Sequence, residues 1–83
     1  MSGLLERMAR NPVGEWTMRE VEAACRPLGI RCSPPSGGGS HFKVSHPSRP
    51  EILTIPYRKP IKSVYIRKFV QFCRAVEASR DRS

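Results

Sequence analysis

The residues best suited to chemistry lie in one short run, Gly37-Gly38-Gly39-Ser40-His41-Phe42-Lys43, and in a basic loop, Arg58-Lys59-Pro60, further along the chain. A histidine that follows a glycine-rich loop and opens an exposed strand has a clear use against RNA. RNA carries its own nucleophile, the ribose 2′-OH, and a neutral imidazole can take its proton as it attacks the adjacent phosphate. The unperturbed histidine pKa of about 6.5 lies near working pH. The reaction requires no metal, and the sequence points to no cofactor. Lysine or arginine beside the imidazole stabilises the extra charge of the phosphorane, and losing one such group typically costs about 10²–10³ in rate. Glycines let a phosphate backbone approach closely and expose N–H donors to it. His41 is therefore the candidate general base or acid, with Gly39, Ser40, Lys43, Arg58 and Lys59 as candidate RNA- and phosphate-binding residues.

Each of these residues also has a plainer reading. An exposed histidine can be an ordinary surface residue, a glycine triplet a permissive loop, and Lys43 a solubilising group on an open strand. Arg67 and Arg74 fit a solvated helix face, His46 a local hydrogen-bonding residue in a turn, and Trp16 a packing anchor. Tyr65, Phe69 and Phe72 read as core. Tyr57 fits either a cap on that core or a base-stacking ring.

Charge favours the nucleic-acid reading. The 83 residues hold 15 lysines and arginines against 7 aspartates and glutamates, a net charge of +8. Residues 1–39 carry five basic and four acidic side chains, a net +1, whereas residues 40–83 carry ten and three, a net +7. An anion-binding surface is thus expected in the second half, with nucleic acid ahead of anionic membrane or an acidic protein as partner. A chain this short forms at most one domain and buries only about 60% of its unfolded surface, so a substrate is expected to bind on the surface.

The cysteines, Cys25, Cys32 and Cys73, are odd in number and form no CxxC, which suggests a reduced, cytoplasmic protein whose thiols fill the core. A Cys25–Cys32 disulfide is the alternative. Glu6 and Arg7 directly after Leu4 and Leu5 argue against a signal peptide. No apolar run approaches the ~20 residues of a membrane span. His41 and His46 would point to opposite faces of one strand, which disfavours a zinc site.

The elements that must position these residues follow from their patterning. Thr17 with Glu20 matches a capping box, and Val21, Ala24, Cys25 and Leu28 form one helical stripe that Pro27 distorts and Gly29 ends. A short strand is expected over 30–33 and a second over 40–45, with Phe42 and Val44 facing the core and His41, Lys43 and Ser45 facing away. A third is expected over 51–56, with Leu53 and Ile55 inward. Residues from Ile61 to about Ala78 have helical periodicity. Residues 1–16 read as a partly ordered extension, 17–78 as the domain and 79–83 as a frayed tail. The order helix, three strands, helix predicts an α+β, α-β-β-β-α fold in which a three-stranded antiparallel sheet carries two helices on one face. This is the arrangement of the double-stranded-RNA-binding domain (dsRBD).

At these residues the chain resembles a known family. Gly39-Ser40-His41, His46-Pro47 and Ile55-Pro56, leading through Pro60-Ile61-Lys62 into Tyr65-Ile66-Arg67, resemble the HicA toxins of bacterial toxin–antitoxin modules over roughly residues 17–77. The resemblance implies a dsRBD-like endoribonuclease that cleaves mRNA to arrest growth. It also implies neutralisation by a HicB-type antitoxin that covers the active histidine, His41 here. His46 matches the family's His-Pro turn and inherits no catalytic role. Three features depart from the family pattern: the length of 1–16, the Tyr57-Arg58-Lys59 segment, and Pro34-Pro35 before the loop. The competing expectations are a non-catalytic RNA-binding module of the same fold and an interaction domain for an acidic protein.

Overall fold

The computed structural model describes residues 3–35 and 40–81. In chain order they form α1 (Gly3–Arg10), α2 (Met18–Cys25), a 3₁₀ turn (Arg26–Leu28), β1 (Arg31–Ser33), β2 (His41–Ser45), β3 (Leu53–Pro56) and α3 (Ser63–Asp81). The result is a small α+β domain with an antiparallel sheet ordered β1-β2-β3. α2 packs on β1, α3 packs on β3, and α1 packs on both helices.

Glu20 starts α2 as its spacing from Thr17 predicts. Its Oε1 accepts the Thr17 N–H at 2.8 Å and the Thr17 hydroxyl at 3.2 Å. Pro27 has no N–H to continue the helix, so the chain tightens into the 3₁₀ turn. Gly29 ends that turn in the left-handed region, at φ 66°, which a side chain would oppose. The Ile30 N–H then reaches back to the Cys25 carbonyl at 3.1 Å and aims the chain into β1.

One core joins all the helices to one face of the sheet. Phe42, Val44 and Ile55 from the strands share it with Val21, Ala24, Ile66, Phe69 and Val76. Cys25 and Cys73 are buried within it and Cys32 packs at its edge, all three as free thiols. Burial, with Glu77 nearby, pushes the Cys73 thiol up to about 12. A hydrogen bond between Cys25 and Cys32 raises the first thiol, aided by burial, and lowers the second. Cys25 and Cys73 thus remain protonated packing groups at neutral pH.

The N-terminal region differs from expectation. Residues 3–16 belong to the domain instead of forming a partly ordered extension, because Leu5, Met8 and Trp16 are buried in the same core. The intervening turn is closed at the Asn11 carbonyl, which accepts the Gly14 N–H at 3.0 Å and the Trp16 indole N–H at 2.7 Å. A Cβ on Gly14 would lie 3.0 Å from both the Asn11 amide nitrogen and the indole nitrogen, a tight contact that those side chains would have to shift to relieve.

The other boundaries shift for identifiable reasons. The Ile61 N–H is taken by the Trp16 carbonyl at 2.9 Å, so α3 starts at Ser63, with the Lys62 carbonyl accepting the N–H groups of Tyr65 and Ile66. At the other end α3 runs to Asp81, into the expected frayed tail, and Arg80 Nη1 donates to the Pro27 carbonyl at 3.0 Å. β3 begins only at Leu53, which leaves Ile52 exposed before it.

Candidate nucleic-acid interface

β2 is the central strand, and its register decides what shares the uncovered sheet face. His41 lies opposite Pro56 and Lys43 opposite Thr54; on the other side Lys43 faces Ser33 and Ser45 faces Arg31. Directly paired residues project to the same side. Arg31, His41 and Lys43 therefore stand on one open face, with Phe42 and Val44 on the buried one.

Residues 57–62 fold back over the His41 end of β2. The Tyr57 N–H donates to the Ser40 carbonyl at 2.7 Å, and the Tyr57 ring meets Phe42 at 5.5 Å between centroids, tilted by 54°. Tyr57 thus covers an edge of the core yet remains 54% exposed. Between this loop and α3 opens a groove of about 350 Å³ lined by Ser40, His41, Tyr57, Arg58, Lys62 and Tyr65, with Pro56 at its side. Among the described residues, no carboxylate lines it, and the side chains of Arg58 and Lys62 make no hydrogen bond or ion pair. The His41 ring is held only lightly, with Nδ1 3.4 Å from the Ser40 hydroxyl.

The expected site residues are therefore divided. Ser40, His41 and Arg58 meet in the groove. Lys43 shares the open face but lies outside the groove, and Lys59 lines a neighbouring groove instead. Gly39 lies outside the described residues. His46 occupies the opposite end of β2, where its Nδ1 accepts the Ser48 N–H at 3.0 Å and lies 2.8 Å from the Ser48 hydroxyl. That bonding is the local turn role expected of it.

Two groove residues escaped the sequence reading. Tyr65 fits the apolar stripe of α3, and it does pack against the core, but it is half-buried and its remainder lines the groove. Lys62 follows a proline-bounded loop, and its relation to His41 arises only when Tyr57 pairs with Ser40. The one available sequence signal was its closeness to Arg58 and Lys59.

Comparison with protein-family models, curated proteins and solved structures finds no match to this chain. Among the described residues, no cluster of three or more histidine, cysteine, aspartate or glutamate side chains could hold a metal ion. No described helix is long and apolar enough to cross a membrane.

Proposed function

We propose that this protein is a HicA-like toxin, a metal-independent endoribonuclease that cleaves mRNA in the cytoplasm and is neutralised by a HicB-type antitoxin covering His41. The observation that carries the reading is an exposed imidazole in a groove walled by unpaired cations and by no carboxylate. The order helix, three antiparallel strands, helix from α2 to α3 supports the dsRBD-like reading, with α1 added before it. The open sheet face carries Arg31 and Lys43 beside His41, and Arg58 and Lys62 line the adjoining groove, which suits a polyanion there.

In this reading His41 takes the 2′-OH proton, the 2′-oxygen attacks the adjacent phosphorus, and the P–O5′ bond breaks. The products are a 2′,3′-cyclic phosphate and a 5′-hydroxyl, the latter protonated by water or by a groove residue. Arg58 and Lys62 stabilise the pentavalent phosphorane, while Lys43 draws the strand along the sheet. The test is incubation of purified protein with single-stranded RNA in EDTA. Cleavage that leaves 2′,3′-cyclic phosphate ends and disappears in His41→Ala supports the nuclease. Retarded but intact RNA would instead support a binding module of the same fold, and no interaction with RNA would overturn both.

A further inference from the structure

A second groove adjoins the first. It has a volume of about 490 Å³ and is lined by Val13, Gly14, Arg58, Lys59, Pro60 and Lys62, together with the first residues of the loop-to-α3 junction. Arg58 and Lys62 line both grooves, so the two meet across a shared pair of cations. Lys59 adds a third, and among the described residues it too has no hydrogen bond or ion pair. Among the described residues, no carboxylate lines this groove either. Its far wall is supplied by the turn after α1, where Val13 is 71% exposed and backed by Gly14. The volume lies within the roughly 300–1,000 Å³ of small-molecule sites. A positively charged groove with an adjoining apolar wall has the composition that holds a phosphate and the base next to it.

We infer that this second groove is a subsite for the nucleotide flanking the one at His41, so that a single-stranded RNA crosses from one groove to the other over Arg58 and Lys62. The inference rests on the reading of the His41 groove as an RNA site. It gives residues 11–16 a function, because the turn they form is the wall that makes the second groove. The occupant is a single strand. Bases in an A-form duplex are stacked and paired, out of reach of Val13 and Pro60, whereas a single strand can turn a base toward them.

The test uses the His41→Ala protein, so that RNA stays intact, and fluorescent uridylates of one and about eight nucleotides, the first able to fill one groove only and the second able to span both. Binding is followed by anisotropy across a salt series. The oligomer is expected to bind more tightly than the mononucleotide. Lys59→Gln is expected to weaken oligomer binding about fivefold near 0.1 M salt and to reduce the salt slope by about 0.7, the values for one lost phosphate contact on a single strand. Val13→Asp, at an exposed position, is expected to remove the same length-dependent gain, and both variants should leave mononucleotide binding unchanged. If neither variant alters binding of the oligomer, or if both weaken the two uridylates equally, the second subsite is overturned. Cleavage by the protein with His41 intact is scored separately. Cleavage without any effect of Lys59→Gln or Val13→Asp on binding refutes the subsite and leaves the nuclease standing. Length-dependent binding that both variants abolish, in a protein that cuts nothing, refutes the nuclease and supports the subsite.

Discussion

The two ends of β2 carry the same residue type in opposite electrostatic settings. At one end His41 faces a groove with Arg58 and Lys62, neither of them neutralised. At the other, His46 is committed to Ser48, and the nearby Arg49 is neutralised by Glu51 at 3.0 Å. One end is satisfied within itself. The other presents donors and positive charge with no partner among the described residues. A histidine becomes a candidate for chemistry through what surrounds it, and here four residues of strand, Phe42 to Ser45, separate the two cases.

Exchanging the histidines for alanine gives the largest expected contrast. His41→Ala should lower RNA cleavage by about 10²–10⁴-fold, the usual contribution of a general base. Its side chain is exposed, so the thermal midpoint should stay close to that of the parent. His46→Ala should leave cleavage within about twofold and cost only the turn's local hydrogen bonds, roughly 0.5–1.5 kcal/mol each. Cleavage is measured with end-labelled RNA in EDTA, and stability by thermal unfolding. Equal loss in both variants would mean that the two ends are not functionally distinct.

The lysines provide the next contrast. Lys62 lines the His41 groove and Lys43 does not. Lys62→Ala should therefore lower the cleavage rate at saturating RNA by about tenfold to a hundredfold, somewhat less than a buried oxyanion donor because the groove is open. Lys43→Ala should act mainly on binding, by about fivefold near 0.1 M salt. Separate determination of kcat and KM decides between them. A larger rate effect from Lys43 would place the reacting phosphate on the open sheet face and not in the groove.

How legible these features were in the sequence depended on the range of the interactions that create them. Strand alternation set Phe42 and Val44 against His41 and Lys43, and the pairing of Thr17 with Glu20 started α2, because both depend on neighbours a few residues away. The integration of α1 was hidden because that short helix fully buries just Leu5 and Met8, with Leu4 and Ala9 at the edge of the core, and the partners that cover them lie on distant elements. The groove was hidden for the same reason. It depends on Tyr57 pairing with Ser40 and on Ile61 pairing with Trp16, contacts that no local pattern announces. Adjacency groups Lys59 with Arg58, yet Arg58 lines both grooves and Lys59 the second alone.

The Ile61–Trp16 contact makes the His41 end dependent on the N-terminal segment, and the His46 end lacks such a support. Trp16→Phe keeps an aromatic ring in the core and removes the indole donor to the Asn11 carbonyl. The expected cost is about 1–2 kcal/mol. Hydrogen exchange should show where the loss falls. The Ile61 amide should exchange about 5–30-fold faster, while the Arg49 amide, bonded to the His46 carbonyl at 3.0 Å, should change little. Uniform acceleration at both sites would show that the two ends open as one unit.

The smallest effect expected is at the neutralised end. The Glu51 carboxyl is held below the ordinary carboxylate range, first by its own backbone N–H and then by the Arg49 guanidinium. A carboxylate whose folded pKa is depressed contributes stability above its unfolded value of 4.5, and that contribution fades as pH falls through the lower folded value. Protonation in that window releases Arg49 and makes the His46 end resemble the cationic one. Glu51→Gln should reproduce the released state at neutral pH. In the His41→Ala background, it should steepen the salt dependence of oligouridylate binding by at most about 0.7, one added phosphate contact, with cleavage in the otherwise intact protein unchanged. If the slope does not move, neutralisation of Arg49 is not what keeps RNA from that end, and the difference between the two ends must come from the shape of the groove at His41.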